Sequence, residues 1–374
     1  MKSRIAPVDG LRAFAVLGVM WAHVWMFYNN VAFKVGPIDI HRIISFGGIG
    51  VDLFFVISGF CMYLMYAKKA TDFTVSGYGG FLLKRWKRIA PAFYFIVAAE
   101  CVLYWIQTSV FPLNSFFSHL LFINTFVTDN VLSPPFWSLS TEWQFYLVLP
   151  FLFINDPGGK ETWKRLLLLT FVCMAFRLLL FYRHNTDILQ GVTIGSDKIW
   201  YRFIEFGWGI IVARWYNTGR TLPALFRGAY GFVIGLAIAY AGRLMVVTEV
   251  VGRFGNAAFV IKALGEPVMT AGFGVMLFNV ISSPSIFSNF LSLGPLRFIG
   301  RISYSMYLWH WIICIGISHW YIAEKGVSAL NMNVAYILSL LAVIPVAWTS
   351  FKLLEEPYFK RQSVGASKTP VFNG

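Results

Sequence analysis

Arg12 and His23 stand eleven residues apart in "DGLRAFAVLGVMWAH", a stretch apolar enough to enter a membrane. An arginine at the centre of a membrane helix costs roughly 2.5–3.5 kcal/mol on the insertion scale. Such a cost suggests chemistry rather than filling. If the stretch is helical, eleven steps of about 100° make three turns plus roughly 20°, so both side chains share one face, about 16 Å apart along the axis. The unremarkable alternative is a snorkelling arginine and a histidine hydrogen-bonded inside a bundle. An imidazole at that depth can serve as a general base, best with a carboxylate beside it.

Other ionisable residues fall at a similar level of their apolar segments. They are Asp52 in "GVDLFFVISGF", Glu142 in "PPFWSLSTEWQFYLVLP", Glu205 in "YRFIEFGWGI" and His310 in "RISYSMYLWHW". Buried acids need partners, and a shared cavity would supply them. Four basic residues, Lys84, Arg85, Lys87 and Arg88, crowd into "LLKRWKRIAPAF". Arg85 and Arg88, at i and i+3, lie on one helix face and with Arg12 could bind a polyanion. The same cluster also reads as a topology signal or a lipid-headgroup contact. The glycines of "ISFGGIGVDLFFVISGF" and "EFGWGIIVARW" suit close helix packing, or room for a narrow ligand between helices.

These residues need a scaffold of membrane helices. Of 374 residues 57% are hydrophobic and 13% charged, against about 25% charged in a soluble domain. The expected fold is an all-α, polytopic membrane bundle of about ten spans, near 10–30, 43–67, 89–109, 136–154, 166–183, 199–216, 228–247, 256–282, 303–322 and 334–353. The stretch 110–135 is too short to span and reads as re-entrant or interfacial. Lys and Arg divide about 20 to one side, including "MKSR", Lys68, Lys69, Lys360, Arg361 and Lys368, against about 9 to the other, which puts both termini in the cytoplasm. Residues 1–358 would form the membrane domain and 359–374 a disordered tail. The net charge of +14 is therefore topological, and no nucleic-acid partner is expected. Cys61, Cys101, Cys173 and Cys314 lie in apolar segments without metal-ligand spacing, so neither a disulfide nor a metal site is expected. Arg12 and His23 interrupt the first apolar run, and the first segment is expected to remain a helix rather than a cleaved signal.

The order of these motifs over nearly the whole chain resembles acyltransferase family 3, integral-membrane enzymes that mostly O-acylate bacterial surface carbohydrates. The resemblance rests on the Arg-x10-His pattern at Arg12 and His23, "GVDLFFVISGF", the Arg-x-x-Arg motif at Arg85 and Arg88, "FWSLSTEWQFYL", "FGWG", "ISYSMYLWHW" and "LEEPYFKR". One departure is visible: the family often has two adjacent acids where Glu142 is followed by Trp143. Some relatives add a C-terminal esterase-like domain, which this chain is expected to lack. The resemblance implies a multi-pass protein of the bacterial inner membrane that moves an acetyl group from cytoplasmic acetyl-CoA to a sugar hydroxyl. Arg12, Arg85 and Arg88 would hold the donor phosphates, with the donor arm running along the first helix to His23. Asp52 or Glu142 would orient the imidazole, and Glu205, His310 and Trp137 would contact the acceptor. His23 would act as general base or would itself be acylated. The partners implied are a carbohydrate acceptor, lipid-linked or not, and membrane lipid. A proton-coupled transporter or flippase of a lipid-linked sugar is the reading from another class, since intramembrane acids and histidines also form proton relays.

Overall fold

The computed structural model describes residues 5–67, 75–153, 160–183, 196–247 and 252–359. The basic residues of "MKSR", Lys68, Lys69, Lys360, Arg361 and Lys368 lie outside these ranges, as does the tail from 360 onward.

A helix stands at each of the ten expected segments. They are α1 (Ala6–Phe27), α3 (Gly50–Ala67) after the short α2 (Ile40–Ile44), α4 (Val75–Thr108), α6 (Trp137–Phe153) after the short α5 (Leu113–Leu120), α7 (Lys160–Arg183), α8 (Ile199–Asn217), α9 (Gly228–Leu244), α10 (Ala258–Ser282), α12 (Gly294–Lys325) after the short α11 (Ile286–Leu291), and α13 (Ala329–Ser350). The only sheet among the described residues is a two-residue antiparallel ladder, Lys34–Val35 with Ile38–Asp39. This is a helical, multi-pass membrane protein. Six helices among the described residues are long and apolar enough to cross a membrane. The other four are shorter or more polar: α6 and α9 have 17 residues each, while α8 carries Arg202 and Glu205, and α12 carries Arg297, Arg301 and His310.

Boundaries differ from expectation where polar residues sit inside a helix. Apolar content suggests a start at 89 for the third segment, but α4 begins at Val75 and takes the whole basic cluster into its regular turns. The second segment takes in the end of α2 and the 3-10 turn Ser45–Ile49 before α3 proper starts at Gly50. Region 110–135 contains α5 and the 3-10 turns Asn124–Phe126 and Pro134–Phe136, with Ser118, His119, Asn124 and Ser133 buried.

The most extensive helix pairings are α9 with α10, α1 with α12, α3 with α8, and α12 with α13. Glycines set two of these distances. A Cβ on Gly209 of α8 would stand 2.0 Å from the Val56 carbonyl oxygen, and one on Gly59 of α3 would stand 2.1 Å from that of Phe206. A Cβ on Gly300 of α12 would meet the Asp9 carbonyl oxygen of α1 at 1.8 Å. At these positions the small residues bring backbones together, which is the packing role rather than the ligand-passage role. One apolar core runs from Val8 to Phe351 through these pairs.

Candidate active site

Arg12 and His23 do face one side of α1, but they line different cavities. The first cavity, about 110 Å³, opens at the N-terminal end of α1. Its mouth carries three guanidinium groups from three helices: Arg12 (α1), Arg88 (α4) and Arg301 (α12). Inward it follows Met62, Cys61, Ser58, Phe55, Phe54 and Val51 of α3. This is an i, i+3, i+4 stripe spanning about 16 Å. The long face of this cavity is therefore provided by α3, and of α1 only Arg12 lines it. The reason lies in packing: Val16, Val19 and Met20, between Arg12 and His23, are buried in the core.

Arg12 Nη1 lies 3.8 Å from the Asp9 carboxylate, and its Nη2 donates to Cys61 Sγ at 3.5 Å. Arg88 lines the channel, with its guanidinium over the Phe359 ring. Arg85 does not share that position. It is buried, its Nη2 reaches Met65 Sδ at 3.2 Å, and its Nε and Nη1 have no hydrogen-bond partner among the described residues. The expectation that Arg85 and Arg88 present one joint face to a ligand is corrected, because α4 turns Arg85 toward α3. Arg301 takes the third place at the mouth.

Glu142 also lines the first cavity. Its Oε1 accepts hydrogen bonds from Ser58 Oγ and Tyr146 Oη, both at 2.6 Å. Deeper in, Ser138 Oγ and Tyr307 Oη lie 2.7 Å apart, and Tyr307 Oη also donates to the Pro135 carbonyl at 2.7 Å.

The second cavity, about 370 Å³, lies toward the C-terminal end of α1. His23, Asp52, Arg202, Arg243 and Glu266 line it, with Trp25 and Asn30. Val51 faces the first cavity and the adjacent Asp52 faces the second, so the two spaces meet across the start of α3. On the α12 side, Tyr307 lines the first cavity. The backbone oxygen of Tyr307 lies 2.6 Å from His310 Nδ1, and His310 Nε2 lies 3.0 Å from His23 Nδ1. The imidazole partner of His23 is therefore His310, and the expected Asp52 or Glu142 is corrected. Both acids are engaged elsewhere: Glu142 as described, and Asp52 with Arg202.

Arg202 is the hub of an ionic network that joins four helices. Its Nη1 lies 2.8 Å from Asp52, 2.8 Å from Glu205 and 3.4 Å from Glu266. Glu266 also takes Arg177 Nη2 of α7 at 2.6 Å. Arg177, 1% exposed, donates Nε to the Ala263 carbonyl at 3.1 Å. That carbonyl is free because Pro267, four residues on, has no N–H to offer it. Trp137 stands beneath the Arg202 guanidinium, 5.1 Å from ring centroid to Cζ. Glu205 and Trp137 thus support Arg202 and do not line the second cavity.

Arg177, Arg202, Arg243, Glu266 and Arg301 are the site residues that sequence reasoning missed. A usable signal existed for Arg202, since it precedes Glu205 by one turn within an apolar helix. Arg177 offered the same signal as an intramembrane charge with no partner on its own helix. Glu266 and Arg243 offered none beyond their type.

A family described as an acyltransferase domain matches residues 5–352. The "O-acetyltransferase OatA" of Staphylococcus aureus is 24% identical over an alignment of 394 residues, covering 95% of this chain and 57% of that protein. The "Peptidoglycan O-acetyltransferase OatA" of Listeria monocytogenes is 26% identical over 386 residues, covering 95% and 56%. The chain thus spans little more than half the length of these curated relatives. No solved structure matches it.

Proposed function

The chain belongs to this acyltransferase family, and from that premise we propose that it is a membrane O-acetyltransferase. It moves an acetyl group from cytoplasmic acetyl-CoA to a sugar hydroxyl of a bacterial cell-surface polysaccharide. The observation that carries the reading is the pair of abutting cavities. One is narrow, with Arg12, Arg88 and Arg301 at its mouth. The other is wider and lined by His23, Asp52, Arg202 and Glu266. The three guanidinium groups suit the phosphates of the donor, and the apolar α3 stripe suits its thin uncharged arm. The wider cavity pairs carboxylates and guanidinium groups with Trp25, a mixture suited to hydrogen-bonding and stacking on a carbohydrate. His23, on the wall of the wider cavity, is the candidate general base.

With ten spans and both termini cytoplasmic, as the positive-inside count favours, the cationic mouth would face the side where acyl-CoA is made. The inner membrane is the location consistent with that supply. Two relatives carry acetyltransferase names, one of them for peptidoglycan. Peptidoglycan is therefore the first acceptor to test, with O-antigen, capsule and exopolysaccharide units beside it. The buried Asp52–Arg202–Glu266–Arg177 network is what favours the second reading, a proton-coupled transporter or flippase of a lipid-linked sugar.

One assay separates them. Detergent-purified protein is given acetyl-CoA with peptidoglycan fragments or lipopolysaccharide, and free CoA is measured for wild type and His23→Ala. Acceptor-dependent release by wild type alone supports the transferase, and the active acceptor names the class. No release with any acceptor from folded protein, together with substrate uptake in proteoliposomes, overturns it in favour of transport.

A further inference from the structure

The environment of His310 fixes which nitrogen of His23 is available for chemistry. His310 Nδ1 lies 2.6 Å from the backbone oxygen of Tyr307. A carbonyl oxygen only accepts, so Nδ1 of His310 carries the hydrogen. In the neutral ring Nε2 is then a bare lone pair. His23 Nδ1 lies 3.0 Å from that lone pair and must donate to it. The two ring centroids are 5.1 Å apart with planes 20° from parallel. That is close to the separation of about 5 Å expected when the N–H···N line runs along both ring planes, as a hydrogen bond to an in-plane lone pair requires. Trp311 closes one side of the His23 ring, edge-on at 5.0 Å. His310 is fully buried in α12, so its orientation is set by the core.

We propose that His310 is a positioning residue that holds His23 as its Nδ1–H tautomer and so makes His23 Nε2 the atom that takes the proton from the acceptor hydroxyl. This rests on the acyltransferase reading given above. The hydroxyl oxygen forms its bond to the acyl carbon as its proton passes to His23 Nε2. The C–S bond of the thioester then breaks, and the same proton passes from Nε2 to the departing thiolate. One ester and one thiol result, and both histidines return to their starting state. While His23 holds two protons, its Nδ1–H remains directed at His310 Nε2, where the positive charge is stabilised by a ring rather than by a carboxylate.

The test has two arms. Nitrogen-15 NMR of the wild-type protein, with histidine labelled and His23 assigned through His23→Gln, reads the tautomer without turnover. The expected result is a protonated Nδ1 and a bare Nε2 on His23, and a protonated Nε2 overturns the proposal. In the second arm, transfer kinetics are compared for His310→Phe and His310→Gln. Phe keeps ring volume without an acceptor atom, and Gln can place an amide oxygen near the lost Nε2. The expectation is a fall in kcat of about 10²–10⁴-fold for Phe, the range for a mis-set general base, with both KM values unchanged and partial recovery in Gln. A kcat at the wild-type level in His310→Phe, or a loss confined to KM, overturns it. Because the tautomer is read without substrate, a missing acyltransferase activity counts against the function and not against the assigned nitrogen.

Discussion

Arg12 and His23 share a face of one helix yet line separate cavities, and His23 is hydrogen-bonded to the fully buried His310. The arrangement divides the labour along α1. Arg12 lines the cavity at the N-terminal end of the helix, and His23 lines the one at the opposite end.

Donor recognition is expected to depend on the residues at the narrow mouth. Arg88→Met and Arg301→Met should each raise the KM for acetyl-CoA about 10–100-fold, the equivalent of one lost charge-assisted hydrogen bond. kcat should change little at saturating donor. Steady-state kinetics with varied acetyl-CoA check this, and an unchanged KM in both variants would assign the mouth to topology alone.

Cys61 offers a chemical probe of the same channel. It is half-buried and lines the narrow cavity, while Cys101, Cys173 and Cys314 are buried. A small maleimide should label Cys61 first and abolish donor binding. Coenzyme A should protect against labelling, and Cys61→Ser should resist inactivation. Mass spectrometry of the labelled protein identifies the site.

The Arg202 hub should hold the bundle together as well as shape the wider cavity. Arg202→Leu leaves Asp52 and Glu205 without their shared guanidinium and should destabilise the protein by about 3–5 kcal/mol, as removal of one buried partner does. Adding Glu205→Leu should restore part of the loss, because the two sites are coupled. Thermal unfolding in detergent, run as a double-mutant cycle, measures both effects.

The contact between α3 and α8 has no room for a side chain. Gly209→Ala should lower stability by about 1–3 kcal/mol, the usual cost of overpacking. It should also lower activity by displacing Asp52 relative to Arg202. Gly207→Ala is the control, since the nearest atom to a Cβ there is 3.7 Å away. It should leave both thermal stability and CoA release near wild type.

The elements of the fold were legible because the membrane leaves few options. An apolar run long enough to span must satisfy its own backbone, and the helix does so within one segment. A helix therefore stands at every expected segment, even where its ends moved to include Lys84 to Arg88. Spacing also placed Arg12 and His23 on one face of α1, since helical phase depends only on residue number. Phase alone does not say what fills the space beside a helix. The α3 stripe from Val51 to Met62 became the channel wall because α1 buries its intervening residues, and that choice belongs to helix–helix packing.

Partner choice was beyond the sequence for the same reason. Asp52, Glu142 and His310 were each legible as ionisable groups inside the bundle, but composition ranks no pairing among them. A buried acid takes the cation that packing brings within reach. For Asp52 that cation is Arg202, through the close approach of α3 and α8 that Gly59 and Gly209 permit. With that acid occupied, His23 meets the imidazole of His310 across the pairing of α1 with α12. Residue type and position along apolar helices placed Asp52, Glu142 and His310 inside the bundle. The tertiary structure decided which of them touch, because hydrogen bonds act over about 3 Å while these residues lie on helices far apart in the chain.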